Sequence, residues 1–280
     1  MKMKGLAPVI ERNIRAALEE DIGDGDLTAR LVPEKATARA HILTRGNIVL
    51  CGVPWVDACF RQLDPAIEIR WRVADGDHVP AGQVLCTLRG PARALLTGER
   101  TALNFLQLLS GVATATRRYV DAVRGTRAKI LDTRKTLPGL RVAEKYAVMT
   151  GGGVNHRMGL YDAVLIKENH IAAAGGVAAA MRAATASAPA GVSIQVEVET
   201  LDELKAAIDA GARLILLDNM NPARMREAVT VAAGRAELEA SGGITLDTVR
   251  EVAETGVDRI SIGSLTKDIK AADLSMRFED

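Results

Sequence analysis

From residue 129 onward, short apolar runs alternate with helical patterns, and this alternation limits the possible folds more than any other feature of the chain. Residues 129–132, 163–166, 194–198, 214–217, 238–240 and 260–262 read as strands. Residues 141–149, 177–187, 201–210, 222–233 and 246–255 read as helices. Strand followed by helix, repeated about six times, calls for a parallel sheet. No glycine motif of the dinucleotide-binding type accompanies the strands, which favours a barrel over an open sheet. Composition agrees: apolar residues make up 48% of the chain but aromatics only 3%. The core must therefore be built from Ala, Val, Leu and Ile, which suits parallel strands covered by alanine-rich helices.

The first part of the chain has another character. A helix starts near Pro8, shows Ile10, Ile14, Ala17 and Leu18 on one face, and stops near Gly23. Residues 38–50 read as strand, turn, strand around Arg45-Gly46-Asn47, and 67–73 alternate as a half-buried strand. Turns follow at 75–77 and 81–83, and 95–109 forms a mostly apolar helix. The expected architecture is α/β. An N-terminal α+β sandwich domain (1–112) precedes a TIM-like, incomplete α/β barrel (113–266), and a tail (267–280) forms a last helix packing back on the first domain.

Bulk properties exclude several functions. A formal net charge of +1 argues against a whole-protein polyanion binder, so no nucleic acid is expected as a partner. The three cysteines, Cys51, Cys59 and Cys86, form no CxxC pair and read as reduced and buried in a cytoplasmic protein. Neither a secretory signal nor a run of ~20 apolar residues is visible, so no membrane partner is expected.

In such a barrel the reacting groups gather where strands end. The strand ends here are Asp132-Thr133-Arg134-Lys135-Thr136, Lys167-Glu168-Asn169-His170, Glu197 with Glu199, Asp218-Asn219, Ser241-Gly242-Gly243 and Gly263-Ser264. Arg134, Lys135, Arg157 and Lys167, with His156 beside Arg157, form a convergent cationic set whose natural use is a multiply charged anion. Glu197 and Asp218, one βα unit apart, suit a hard cation such as Mg²⁺ shared with substrate phosphates. The last two strand ends are glycine-rich and can hold a phosphate on backbone N–H groups. A strand period of two puts Lys167 and Glu168 on opposite faces, with Glu168 outward. His156 also reads as a satisfied loop histidine, Gly151-Gly152-Gly153 as a flexible helix exit, and the acidic run 21–26 as a turn rather than a calcium loop. Together these features describe a barrel enzyme for a phosphorylated substrate and a second anionic substrate; the reaction class stays open.

Longer motifs go further. Residues 132–141 (DTRKTLPGLR), 151–160 (GGGVNHRMGL), 165–170 (LIKENH), 196–199 (VEVE), 217–219 (LDN) and 241–244 (SGGI) occur in this order, with 19–28 near the start and 274–278 at the end. The chain thereby closely resembles the nicotinate-nucleotide pyrophosphorylase (carboxylating) family. The resemblance implies a pentosyltransferase that joins quinolinate to phosphoribosyl pyrophosphate in de novo NAD synthesis, giving nicotinate mononucleotide, pyrophosphate and carbon dioxide. It implies a homodimer in which Arg100 enters the neighbouring subunit's site. It places the quinolinate carboxylates among Arg100, Arg134, His156, Arg157 and Lys167, with Thr133 also against substrate and Lys135 between the two substrates. Glu197 and Asp218 would face the ribose hydroxyls and the Mg²⁺-pyrophosphate. Ser241, Gly242 and Gly243, with Ile262, Gly263 and Ser264, would hold the 5′-phosphate. The implied catalytic set is Lys135, Lys167, Glu197 and Asp218. One departure is Asp268 after Lys267, where many relatives carry His. Three rivals are a molybdenum-transport-associated paralogue of the same fold, a Schiff-base aldolase using Lys167, and a carrier module in the first domain. The carrier lacks a Met-Lys-Met hairpin apex.

Overall fold

A computed structural model describes residues 5–279. In chain order its elements are α1 (Leu6–Ile22), β1 (Thr37–Thr44), β2 (Ile48–Val49), α2 (Val53–Leu63), β3 (Glu68–Trp71), β4 (His78–Val79), β5 (Val84–Pro91), α3 (Ala92–Ala122) and β6 (Lys129–Leu131). There follow α4 (Arg141–Thr150), β7 (Ala163–Ile166), α5 (Glu168–Ala174), α6 (Val177–Ser187), β8 (Ser193–Val198), α7 (Leu201–Asp209) and β9 (Leu214–Asp218). The chain closes with α8 (Pro222–Ala232), β10 (Glu237–Ser241), α9 (Val249–Ala253), β11 (Arg259–Ser261), α10 (Ser264–Lys267) and β12 (Leu274–Phe278). Two compact units result. The first takes the chain up to Arg117, Thr136–Gly152, and the chain from Leu265 on; the second takes Arg118–Lys135 and Gly153–Ser264. Among the described residues no helix is long and apolar enough to cross a membrane.

The first unit is built on a four-stranded antiparallel sheet in the order β12-β1-β5-β3, with β2 and β4 paired separately. Its core is apolar: Trp55, Phe60, Leu85, Leu88, Leu103 and Leu106 are buried. The Trp55 and Tyr146 rings meet with centroids 5.5 Å apart. α3 packs closely at Gly98, where an added Cβ would lie 2.7 Å from Leu63 Cδ1 and 2.8 Å from Phe60 Cε1. Asp75 caps α2, accepting from the Gly52 and Val53 N–H groups at 3.0 and 3.1 Å and from the Tyr146 hydroxyl at 2.7 Å. All three cysteines are free and buried, and burial pushes the Cys59 and Cys86 thiols up to about 12. A neutral buried thiol is a packing group, not a nucleophile.

The boundary expected after residue 112 lies within α3, a single helix that runs on to Ala122. Two expectations need correction here. The tail is not a helix beyond α10: it forms β12, which pairs antiparallel with β1 from Ala40↔Phe278 to Thr44↔Leu274. Lys167 and Glu168 lie beyond the strand: β7 stops at Ile166, Lys167 caps α5 and Glu168 opens it, so strand alternation does not apply to them.

The second unit holds six parallel strands in the order β6-β11-β10-β9-β8-β7. β6 and β7 are successive in the unit yet stand at opposite ends of the sheet, so the strand order runs round a ring left open between them. That is the incomplete barrel expected. Val196, Ile215, Leu217, Ala240 and Ile260 fill the ladder as fully buried residues. Side-chain caps start the helices that follow the strands. Thr200 and Glu203 form a reciprocal capping box on α7, and Asn221 Oδ1 accepts from the Arg224 N–H on α8 at 2.9 Å.

Candidate active site

Because every strand of the second unit runs in one direction, the ends of β6 to β11 lie along one rim. Thr133, Arg134 and Lys135 follow β6, Lys167 follows β7, Glu197 lies near the end of β8 and Asp218 ends β9. Ser241 to Gly243 and Ile262 to Ser264 finish β10 and β11. Arg100 belongs to the first unit, where it is exposed on α3. Asp268 is also in that unit, and its carboxylate accepts from Lys267 Nζ at 2.9 Å.

The cations are held close together. Burial first, and then the positive charge of Arg134, push the Arg157 pKa down, with Asp162 opposing. Arg157 Nη1 donates to the Ala163 carbonyl at 3.3 Å, and Asp162 shapes the preceding turn by accepting from the Met158 and Gly159 N–H groups at 2.7 and 2.9 Å. A half-buried guanidinium whose charge is disfavoured by a second one nearby suits a bound anion. The Lys135 stem passes Gly263, where an added Cβ would stand 3.1 Å from Lys135 Cδ. The Lys135 N–H donates to Thr133 Oγ1 at 3.0 Å.

The acidic side is equally organised. Lys167 Nζ lies 3.5 Å from Glu197 Oε2. Burial raises the Glu197 pKa, with the Asp218 charge adding to the rise and Lys167 opposing it. A carboxylate whose charge is disfavoured by burial and by a second carboxylate nearby fits a cation shared between the two. Yet among the described residues no group of three or more His, Cys, Asp or Glu side chains is arranged to hold a metal. The pair therefore suits a hard ion whose other ligands come from substrate and water. Asp218 is fixed by its neighbour: Asn219 Nδ2 donates to Asp218 Oδ2 at 2.8 Å, and the Asn219 N–H donates to the Ser241 carbonyl at 3.0 Å. Asn219 has φ 52°, a left-handed conformation uncommon outside glycine. Gly242 leaves room for it, since a Cβ there would collide with the Asn219 side-chain oxygen.

His156 faces inward. Its backbone N–H donates to the fully buried Asp132 at 2.8 Å, its Nδ1 accepts from the Arg157 N–H at 2.8 Å, and its Nε2 lies 2.9 Å from Gln195 Oε1. Gln195 Nε2 in turn donates to Glu239 Oε2 at 3.0 Å. Gln195 and Glu239 are absent from the site expected from sequence. Their only signal there is a polar residue inside an otherwise apolar run, Ile194-Gln195-Val196 and Leu238-Glu239-Ala240.

Two family models cover nearly the whole chain: "Quinolinate phosphoribosyl transferase, N-terminal domain" over 26–110 and its C-terminal counterpart over 112–277. The chain belongs to the quinolinate phosphoribosyltransferase family. Among the relatives of this family is the Mycobacterium leprae protein named nicotinate-nucleotide pyrophosphorylase [carboxylating]. It is 44% identical over 273 residues, covering 94% of this chain and 95% of that protein. A Nicotiana glauca protein named quinolinate phosphoribosyltransferase [decarboxylating] 1 is 39% identical, covering 95% of this chain and 81% of its own. A solved nicotinate-nucleotide pyrophosphorylase from Francisella tularensis superposes with a TM-score of 0.94 at 45% identity, covering 97% of this chain and 96% of that one. The molybdenum-transport and aldolase readings are not favoured by these likenesses.

Proposed function

We propose that this chain transfers the phosphoribosyl group of phosphoribosyl pyrophosphate to quinolinate, releasing pyrophosphate and carbon dioxide and yielding nicotinate mononucleotide in de novo NAD synthesis. The observation that carries the reading is the pairing on one rim, in a member of this family, of converging guanidinium groups with a coupled carboxylate pair. Arg134, Arg157 and Lys167 bind the two carboxylates of the pyridine ring, with Thr133 and His156 shaping the pocket. In a homodimer Arg100 of the neighbouring subunit adds a further cation. Ser241, Gly242, Gly243, Ile262, Gly263 and Ser264 supply backbone N–H groups and a hydroxyl for the 5′-phosphate.

Glu197 and Asp218 face the ribose hydroxyls. Their negative charge stabilises the cationic sugar as the bond from C1 to pyrophosphate breaks. Lys135, exposed beside Gly263, neutralises charge building on the leaving oxygen. Glu197 and Asp218, together with substrate, would hold Mg²⁺, which would supply positive charge at the pyrophosphate. The pyridine nitrogen then bonds to C1 and becomes cationic. The bond from ring carbon to the adjacent carboxylate breaks, its electron pair stays on the ring carbon, and a proton completes that carbon as carbon dioxide leaves. The arginines must orient the departing carboxylate without needing it charged, so positioning carries much of the rate; a slip of ~1 Å costs about 100-fold.

A Schiff-base role for Lys167 finds no support in its surroundings, because it is half exposed and ion-paired with Glu197. The reading also places the protein in the cytoplasm, where its free cysteines stay reduced. The test is an assay of purified protein with quinolinate, phosphoribosyl pyrophosphate and Mg²⁺, following nicotinate mononucleotide and release of labelled carbon dioxide. Both products should appear in equal amounts and cease when EDTA removes the metal. Absence of both products from the complete mixture would defeat the reading.

A further inference from the structure

The chain of groups behind His156 has a direction. Nδ1 accepts from the Arg157 N–H at 2.8 Å, so Nδ1 bears a lone pair and a neutral ring carries its proton on Nε2. That Nε2–H meets Gln195 Oε1 at 2.9 Å. The orientation of the Gln195 amide is fixed in turn by Glu239, whose Oε2 accepts from Gln195 Nε2 at 3.0 Å. Glu239 is 1% exposed, its Oε1 has no hydrogen-bond partner, and that oxygen lies 3.6 Å from His156 Nε2. Gln195 and Glu239 stand on β8 and β10, and alternate strands of a barrel share one interior layer.

A buried carboxylate is costly unless its field or hydrogen bonds are used. Here it has one use. We infer that Glu239 is a positioning residue of the diacid pocket: acting through Gln195, it holds His156 in the Nε2–H tautomer, which fastens the backbone that carries Arg157. The need is electrostatic. Arg157 and Arg134 repel when no diacid lies between them, so their approach must be enforced from behind. Asp132 supplies the second fastening, accepting from the His156 N–H immediately before Thr133 and Arg134. Metal-ligand histidines are commonly held by an outer carboxylate, and the same logic serves a histidine that holds an arginine.

The inference predicts opposite outcomes for two variants of nearly equal volume. Glu239→Leu removes the acceptor of Gln195 Nε2, so the Gln195 amide can turn its own N–H₂ toward His156 Nε2 and draw the ring proton to Nδ1, where it opposes the Arg157 N–H. Glu239→Gln keeps a carbonyl oxygen for Gln195 Nε2 and so keeps the Nε2–H ring.

The proposal rests on quinolinate as the diacid, but its structural half is read without substrate. With only four histidines in the chain, ring-¹⁵N labelling resolves the His156 tautomer, assigned with a His156→Gln control. The neutral ring of the wild type should show Nε2–H; an Nδ1–H ring overturns the inference without any mutation. Glu239→Leu should lose the Nε2–H signature and raise the quinolinate KM by about ten-fold or more. Its KM for phosphoribosyl pyrophosphate should stay within about two-fold, and Glu239→Gln should keep the quinolinate KM within about two-fold of the wild type. Equal rises in both KM values for Glu239→Leu, or a Glu239→Gln as impaired as Glu239→Leu, would mark Glu239 as merely structural. A wild type inert toward quinolinate would instead defeat the functional reading, while the tautomer would still judge the relay.

Discussion

Each unit buries carboxylates, and they are tied to different things. In the first unit, Asp75 accepts from two backbone N–H groups and a tyrosine hydroxyl, and Glu144 Oε2 accepts from the Leu137 N–H at 3.2 Å. In the second unit, Glu239 lies beside the His156 ring and holds the Gln195 amide, and Glu197 reaches Lys167. The desolvation cost is of the same kind in both. In the first it is offset by fixing backbone, so the reward is the fold itself. In the second it is offset by fixing side chains at strand ends, so the reward is a preorganised cationic pocket. Burial of a charge thus does not by itself mark a functional site; the identity of the partner does.

That contrast can be broken in graded ways. The largest effect should come from Trp55→Ala in the apolar core, which should lower stability by about 3–5 kcal/mol in urea titrations, with specific activity kept in the fraction that stays folded. If Trp55→Ala abolished turnover in folded protein, the two units would not divide their labour as described.

Next is Glu144→Gln. Burial raises the Glu144 pKa from 4.5 to about 7, with the Leu137 N–H and Arg141 opposing. Between those values the native state holds a proton that the unfolded chain has released. Stability is therefore greatest below 4.5 and falls as pH rises to 7, by about 3 kcal/mol for this group. Urea titrations at pH 5 and pH 8 should show the wild type losing that much more than Glu144→Gln. An unchanged difference between the two proteins would remove Glu144 from the account.

Arg157→Ala should spare stability and lower kcat/KM for quinolinate about 100-fold, equivalent to about 2.7 kcal/mol, chiefly through KM. Lys135→Ala should act in the other sense, reducing kcat more than either KM. Normal quinolinate saturation in Arg157→Ala would take that residue out of the pocket. The smallest effect belongs to Thr200→Ala, which removes the cap of α7 and should cost about 1 kcal/mol of stability with steady-state constants unchanged.

The same contrast explains what is legible in the sequence. Parallel strands buried on both faces read as apolar runs, so β7 and α6 can be placed to the residue and the other strands of the second unit to within a residue or two. The first unit is antiparallel and pairs distant segments. β12 alternates buried Leu274 and Met276 with Ser275, but its partner β1 lies at the other end of the chain, and so short a run carries no sign of it. α2 goes unforeseen although Trp55, Val56, Cys59 and Phe60 repeat at helical spacing. α5 is hidden because its start depends on Lys167 and His170 closing a cap, which no periodicity announces. Charged strand ends are plain to read. The supports behind them are not: whether Gln195 and Glu239 face the interior depends on strand register, and register exists only once the sheet is assembled.

The open side of the ring between β6 and β7 has an architectural use. Between those two strands the chain departs to contribute Thr136–Gly152, including α4, to the other unit before it returns. On its return the chain is hydrogen-bonded to the free edge of β6: the Val154 N–H donates to the Ile130 carbonyl at 2.8 Å, and the Asp132 N–H donates to the Val154 carbonyl at 3.3 Å. One gap thus lets a single polypeptide be stitched through both halves of the molecule.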